Sequence, residues 1–317
     1  MAMYLVTGGA GFIGSHLVEA LVADGHRVRV LDNLSTGNIR NLEKVASRIT
    51  FIEADIADRK SVKSCIGGVS GVFHLAACSS VQQSIENPEL NQRSGEIATL
   101  QLLQEAVAHS VKRLVYSSSA SVYGDLPESP LREDLSPSPQ SPYAVSKLAC
   151  EQYCRLFAAN HPRLDTVSLR YFNVLGTRQT PSNPYSGVIS IFLEHVRQRV
   201  PPVIYGNGKQ TRDFISVHDV VRANMAAMAH PAAPLRGECL NVATGRSVTI
   251  LEVWNRLSEI GKVRLEPRFK ARRPGDILHS AASIDKIRKT LGFSPKKKFE
   301  DALGDLAESV LGAATTK

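Results

Sequence analysis

Residues 3–32 read MYLVTGGAGFIGSHLVEALVADGHRVRVLD, and this stretch decides the fold class. An aliphatic, β-branched run at 3–7 leads into a glycine-rich turn at 8–14, and the residues that follow carry apolar side chains at helical spacing. Gly25 closes this helix, and RVRVLD at 27–32 alternates as a second strand. The stretch therefore predicts a β-α-β unit.

The glycines of the turn, Gly8, Gly11 and Gly14, follow a G-x-x-G-x-x-G spacing. Glycine permits a tight turn and a close approach of backbone to a pyrophosphate, while the next helix offers free N–H groups and positive potential. Glycines alone could mark a structural turn, but the flanking strand and helix are typical of a dinucleotide site. We predict that Phe12 and Ile13 contact the cofactor with the glycines.

An acidic residue, Asp32, ends the second predicted strand. Its carboxylate can accept hydrogen bonds from the adenosine ribose hydroxyls and would repel a 2′-phosphate. Neither Asn33 nor Leu34 offers a compensating arginine. Asp32 and Asn33 are therefore predicted to bind NAD in preference to NADP.

Strands and helices are predicted to alternate along the next part of the chain. Strand-like runs occupy 49–55, 71–77, 113–119 and 165–173, and helical stretches occupy 58–66, 95–109 and 143–160. This alternation predicts an α/β fold with a Rossmann-type, doubly wound parallel sheet that binds ligands at the carboxyl ends of its strands. The cofactor-binding residues predicted there are Asp55, Ile56, Leu75, Ala76, Ala77, Ser117 and Tyr171.

Beyond residue 173 the sequence becomes richer in loops and short strands. We expect a dinucleotide-binding domain over 1–173, to which segments around 215–245 return. The remainder of 174–317 is expected to form mainly a smaller, C-terminal substrate-binding domain, with the ligand cleft between the two.

The composition excludes several classes of function. The net charge of +8 is spread along the chain, and no aromatic-rich RNA motif or helix-turn-helix accompanies it, so a nucleic-acid partner is not expected. Five cysteines without C-x-x-C or zinc spacing predict reduced thiols, no metal and a cytoplasmic location. No apolar run approaches the length of a membrane span, so no membrane association is expected.

Residues 141–147, SPYAVSK, place Tyr143 and Lys147 at i and i+4, on one side of a helix. Ser141 and Pro142 are suitable N-cap and N1 residues, so Tyr143 is predicted in the first turn. A nearby ammonium and the positive end of the helix dipole would both stabilise a phenolate. The spacing alone equally fits a solvent-facing helical pair.

Four motifs, TGGAGFIGSHL, SSSASVYG, SPYAVSK and RYFNVLG, together resemble the extended short-chain dehydrogenase/reductase family. Within it they resemble the UDP-glucose/UDP-N-acetylglucosamine 4-epimerases, from residue 3 to about residue 293. The resemblance implies NAD as cofactor, Tyr143 as acid/base on the sugar's 4-hydroxyl and Lys147 as its assistant on the nicotinamide ribose. It also implies that Ser119 bridges the substrate oxygen and Tyr143.

The stretch SSSASVYG bears on the reaction. Related 4,6-dehydratases carry an Asp-Glu pair here and related decarboxylases a glutamate, whereas this chain has Ala120 and Ser121. The resemblance therefore implies 4-epimerisation of a UDP-sugar by transient hydride transfer. A different nucleotide-sugar oxidoreductase, dehydratase or decarboxylase of this scaffold, and a non-catalytic NAD-binding regulatory protein, are the alternatives.

The resemblance also implies a set of substrate-binding residues. Beside Ser119 and Tyr143 these are Asn173, Tyr205, Arg212, Arg273, Asp276 and Ser280. Arginine suits phosphate through its fork of donors, although an Arg–Asp surface ion pair is an alternative interpretation of the cationic positions. Tyr205 could equally be a core aromatic residue. The small Ser280 implies room for a 2-N-acetyl group, with UDP-glucose and UDP-galactose also accepted.

One helix departs from the family pattern. Gly95 stands where the family usually has an asparagine on the cofactor side, and Ala98–Thr99 replaces Gly-Thr. Gly95 should weaken its helix by roughly 1 kcal/mol relative to alanine. In relatives this helix and the one at 143–160 pair across a dimer axis, so a homodimer is expected.

Overall fold

The structure is a computed structural model that describes residues 1–78, 80–179, 187–230, 235–272 and 278–312. Its strands are β1 Met3–Thr7, β2 Arg27–Asp32, β3 Ile49–Glu53, β4 Gly71–His74, β5 Arg113–Ser119, β6 Asp165–Tyr171, β7 Asn173–Leu175, β8 Val203–Tyr205, β9 Thr211–Ser216, β10 Glu238–Val242, β11 Ser247–Thr249, β12 Arg268–Lys270 and β13 His279–Ser280. Its α-helices are α1 Phe12–Ala23, α2 Arg59–Ile66, α3 Val81–Glu86, α4 Pro88–Gln92, α5 Ala98–Ala108, α6 Pro142–Asn160, α7 Val188–Gln198, α8 Val217–Ala229, α9 Ile250–Ile260, α10 Asp285–Leu291 and α11 Phe299–Leu311.

In the described chain, a seven-stranded sheet runs in the order β10-β6-β5-β4-β1-β2-β3. Every neighbouring pair in it is parallel. At the end of β1, Thr7 lies beside Leu31 on one side and His74 on the other. The strand order reverses at β1, where doubly wound sheets bind ligands. The predicted α/β, Rossmann-type fold is confirmed.

Both faces of this sheet are covered. Along β1, Leu5 belongs to the core cluster under α2, α5 and α6, and Val6 belongs to the cluster under α1 and α8. Both side chains are fully buried. Because successive side chains of a strand point to opposite faces, a strand covered twice reads as a continuous apolar run.

The later part of the chain contributes to two regions. Strand β10 and helix α8 join the large sheet, whereas β9 pairs with β7, β11 and β13 in a smaller sheet. A third core around Phe192, Trp254 and Leu257 packs there. The division into two domains at residue 173 stays a prediction.

Local structure differs from the expectation before α5. Helical structure starts at Pro88 and includes a π-helical turn over Arg93–Ile97, so it begins earlier than the predicted residue 95. Gly95 lies buried in that turn, and a Cβ atom there would overlap the Ser146 hydroxyl of α6. Gly95 thus lets two helices approach closely, beyond its local effect on propensity.

Candidate active site

A cavity of about 930 Å³ opens at the carboxyl ends of the central strands. Its wall includes every residue predicted to bind the cofactor: Gly8, Gly11, Phe12, Ile13, Gly14, Asp32, Asn33, Asp55, Ile56, Leu75, Ala76, Ala77, Ser117, Tyr143, Lys147 and Tyr171. These residues come from six strands or the loops behind them and from two helices. The parallel sheet brings them together because all its strands end at the same edge.

The glycine turn forms one wall of this cavity. Gly8 has φ +69°, and a Cβ atom there would lie 2.8 Å from the backbone nitrogen of Ala76. Helix α1 begins after Gly11 without a side-chain cap and without an acidic residue in its first turn. Its first amides therefore remain available to an anion such as a pyrophosphate.

Asp32 is buried at the edge of the same cavity. One carboxylate oxygen accepts from the backbone N–H of Ala10 at 2.9 Å and the other from Leu34 at 2.8 Å. The side chain therefore ties the glycine turn to the end of β2. Each oxygen retains lone-pair capacity for a ribose hydroxyl.

Tyr143 and Lys147, both on α6, line the same cavity. Ser141 is the N-cap, accepting from the backbone N–H of Ala144, and Pro142 occupies the first position, as the sequence predicts. Lys147 is buried, donates from Nζ to the Ser117 carbonyl at 2.7 Å, and places Nζ 5.7 Å from the centre of the Tyr143 ring. Tyr143 is half-buried, so its ring is open to the cavity.

The three serines at the end of β5 have different partners. Ser117 Oγ lies 3.0 Å from Tyr171 Oη, and Ser118 Oγ donates to Glu151 at 2.5 Å. Ser119 is the N-cap of a short 3₁₀ helix, Ala120–Tyr123, and its Oγ accepts from the backbone N–H of Ser121. Among the described residues that line the cavity, Ser117 and Ser118 are present and Ser119 is not.

His74 is a buried residue behind the cavity that sequence reasoning missed. Its Nδ1 lies 2.8 Å from Thr7 Oγ1 and its Nε2 lies 2.9 Å from Thr99 Oγ1. Burial, with the nearby charge of Lys147, lowers the pKa of His74 to about 3. The imidazole is therefore neutral at physiological pH. A histidine in an otherwise apolar strand, GVFH, was the available signal.

A second cavity, of about 680 Å³, lies beside the smaller sheet. Its wall includes three predicted substrate residues, Asn173, Tyr205 and Arg212. It also contains His195 and Arg272, which the sequence analysis did not single out. An apolar wall with a few cationic and amide groups suits a nucleotide, whose base is flat and whose phosphates are charged.

The remaining predicted substrate residues are placed differently. Ser280 is buried in β13 beside Arg212, and it is not among the described residues that line the second cavity. Arg273 and Asp276 lie outside the residues that the structure describes.

Acidic side chains are scarce in these cavities. Among the described lining residues of both, the carboxylates are Asp32 and Asp55, which belong to the ends of β2 and β3. At Ala120 and Ser121 the chain provides no acid. All five cysteines lie in the described chain and are free thiols. No helix within the described ranges has the length and apolarity needed to cross a membrane.

Comparison with known proteins gives a consistent result. The family model described as the NAD dependent epimerase/dehydratase family matches residues 4–243. A UDP-glucose 4-epimerase of Mycolicibacterium smegmatis is 35% identical over 309 residues, which is 96% of this chain and 97% of that protein.

Two solved structures are similar along nearly the whole chain. A UDP-N-acetylglucosamine 4-epimerase from Methanobrevibacter ruminantium M1, in complex with UDP-N-acetylmuramic acid, has a TM-score of 0.93 and 36% identity, covering 98% of this chain and 99% of that one. A UDP-glucose 4-epimerase from Thermus thermophilus, in complex with NAD, has a TM-score of 0.87 and 35% identity, with the same coverage. The chain therefore belongs to the NAD dependent epimerase/dehydratase family and is an NAD-dependent enzyme.

Proposed function

We propose that this enzyme is a 4-epimerase of UDP-sugars. One observation carries the proposal: Tyr143 and Lys147 line the same cavity as the glycine turn, which is the predicted NAD site. A phenol and an ammonium would thereby share one cavity with a bound nicotinamide and a sugar hydroxyl. Two of the relatives described above are named as a UDP-glucose 4-epimerase and a UDP-N-acetylglucosamine 4-epimerase, and these names support the same reaction.

In the proposed reaction Tyr143 removes the proton from the sugar's 4-hydroxyl. Bound NAD supplies reversible hydride acceptance from C4, which leaves a 4-keto sugar. After the sugar turned over, hydride from the same cofactor would reach the opposite face of C4, and Tyr143 would return the proton to the oxygen. The atoms balance without an external oxidant, and the product differs from the substrate only in configuration at C4.

Lys147 and Ser119 are proposed to assist Tyr143. The Lys147 ammonium lies near the Tyr143 ring and favours the phenolate that the base step needs. Ser119 accepts one backbone hydrogen bond, and its hydroxyl hydrogen can still be donated to a substrate oxygen. Asn173, Arg212 and Tyr205 are proposed to hold the diphosphate and the nucleoside in the second cavity.

The scarcity of acids favours epimerisation over dehydration. Elimination of water needs an acid/base beyond Tyr143, and the described cavity walls carry carboxylates only at the ends of β2 and β3. We propose that both UDP-glucose/UDP-galactose and their 2-N-acetyl forms are substrates, because Ser280 is small where the family gates the sugar pocket.

A homodimer and a cytoplasmic location are part of the proposal. Ile97, Val145 and Leu156 expose 44–54% of their surface on the two helical segments that the family pairs. Covering these side chains in a dimer would remove apolar surface from water. The free thiols of all five cysteines agree with a reducing compartment.

The proposal is tested by incubating the pure enzyme separately with UDP-glucose and UDP-N-acetylglucosamine and resolving the 4-epimers. Interconversion without net release of NADH is expected. Turnover of UDP-glucose alone would contradict the proposed sugar range. Stoichiometric NADH release would favour a dehydrogenase, and turnover of neither sugar would refute the epimerase assignment.

A further inference from the structure

An ion pair is buried directly behind the serines at the end of β5. Arg170 on β6 donates from Nε and Nη2 to the two carboxylate oxygens of Glu151 on α6, at 2.9 and 2.7 Å. The side chains are 4% and 1% exposed. Such a pair is a weak source of stability, because desolvation offsets its Coulomb attraction, whereas its effect on the placement of neighbouring groups is direct.

Glu151 lies one helical turn beyond Lys147, which lies one turn beyond Tyr143. Side chains at i and i+4 of a helix are neighbours, with Cβ atoms about 5–6 Å apart. Within the described chain, Lys147 Nζ donates only to the Ser117 carbonyl, although an ammonium has three donors. Glu151 is therefore a nearby anion that could capture Lys147.

Arg170 and Ser118 compete with Lys147 for the Glu151 carboxylate. Both carboxylate oxygens of Glu151 are engaged by Arg170, and Oε1 also accepts from Ser118. Arg170 is itself held, because its guanidinium lies 4.8 Å from the centre of the Tyr123 ring. The hydroxyl of Tyr123 in turn donates to Asn241 at 2.7 Å.

We infer that Arg170 is a positioning residue: by binding Glu151 bidentately, it keeps that carboxylate from pairing with Lys147 and so leaves the ammonium free to act on Tyr143. The inference rests on the proposed roles of Tyr143 and Lys147. Without Arg170, an uncompensated buried anion remains beside the ammonium. Pairing between them would draw Lys147 away from the phenol and disfavour the phenolate.

Other titratable groups surround Lys147 and the ion pair, and three of them, Tyr123, Glu133 and Cys239, also feel the charge of Arg170. Those facing Lys147 are His74 on β4, Tyr116 on β5 and Cys150 on α6. Those facing the ion pair are Tyr123, Cys154 and Cys239, with Glu133 and Lys286 farther out.

The experiment compares Arg170→Gln, Glu151→Gln and the double variant. In Arg170→Gln we expect kcat to fall about 10- to 100-fold, and the pH midpoint of tyrosinate formation by Tyr143 to move upward by about one unit. The midpoint is measured by ultraviolet difference spectroscopy against the matching Tyr143→Phe protein, which needs no sugar turnover. In the double variant both quantities should return to those of Glu151→Gln alone, within about threefold in kcat.

The matched control is Arg113→Gln, because Arg113 pairs with Asp165 at the other ends of β5 and β6, where both partners are also largely buried. It should lower thermal stability without moving the Tyr143 midpoint.

If Arg170→Gln does not fold, Arg170→Lys replaces it and should give a smaller upward shift that Glu151→Gln abolishes. An unshifted midpoint, or a double variant as impaired as Arg170→Gln, would overturn the inference. A shifted and rescued midpoint in a protein that epimerises no UDP-sugar would refute only the proposed function.

Discussion

The hydroxyl oxygen of Ser84 lies 3.0 Å from the backbone nitrogen of Tyr143 and accepts a hydrogen bond from it, although the two residues are 59 positions apart. Ser141 satisfies the next amide of the same helix start, that of Ala144. The first turn of α6 is therefore held by one local and one distant serine. This arrangement fixes the backbone that carries the candidate acid/base.

Replacing Ser84 by alanine should leave the amide of Tyr143 without its partner. Because the site is buried, we expect the free energy of unfolding to fall by about 1–3 kcal/mol. Urea denaturation measures this change. The control is Ser64→Ala, whose hydroxyl donates to a carbonyl three residues earlier on the exposed side of α2, and which should change stability by less than about 0.5 kcal/mol.

Tyr143→Phe removes only the phenolic hydroxyl and should lower kcat by roughly 10²- to 10⁴-fold, the usual contribution of a general acid/base. The amount of NAD that copurifies should be unchanged, because the ring remains in place. Epimer formation and released cofactor are measured on the same preparation. Activity near that of the parent enzyme would show that another group performs the proton transfer.

Asp32→Asn tests the preference for NAD. The substitution removes the charge that repels a 2′-phosphate while retaining an acceptor for the N–H of Ala10. We expect the ratio of NAD to NADP affinity to fall by about tenfold, equivalent to about 1.4 kcal/mol. Calorimetric titration of cofactor-free protein gives both constants. A ratio unaffected by the substitution would place the discrimination elsewhere.

Gly95→Ala should destabilise the protein even though alanine favours helices, because its Cβ would overlap the Ser146 hydroxyl. Adding Ser146→Ala should recover much of the loss. In contrast, Gly304→Ala in α11 faces open space and should stabilise by about 0.5–1 kcal/mol. Thermal unfolding of these three variants and of the parent protein measures the changes in stability. A Gly95→Ala single variant that is more stable than the parent protein would contradict the packing argument.

Stability should fall in acid partly through His74. The pKa of this imidazole is about 3 in the folded chain, against an ordinary value of 6.5 for an unfolded chain, so below pH 6.5 the unfolded state binds more protons. Lowering the pH from 7 to 5 should therefore cost about 2 kcal/mol through this residue. Urea denaturation at both pH values should show a smaller loss for His74→Asn, and the exposed His279→Asn serves as control. An equal loss in wild type and His74→Asn would exclude this contribution.

The sequence alone determined the features that depend on near neighbours. The β-α-β unit, the glycine turn and the Ser141–Pro142 helix start follow from spacing, chirality and capping within a few residues. The ends of the parallel strands could also be predicted, because a doubly wound sheet places them at one edge. All the predicted cofactor residues consequently line one cavity.

Only the tertiary structure decided which distant side chains meet. The contacts of Ser84 with Tyr143, of His74 with Thr99, and of Arg170 with Glu151 join separate elements. They depend on the order of the strands, since β5 lies between β4 and β6 and carries α6 across its face. Local sequence fixes what each residue can offer chemically, whereas packing of the sheet and its helices fixes the partner, because side-chain hydrogen bonds form only over a few ångströms.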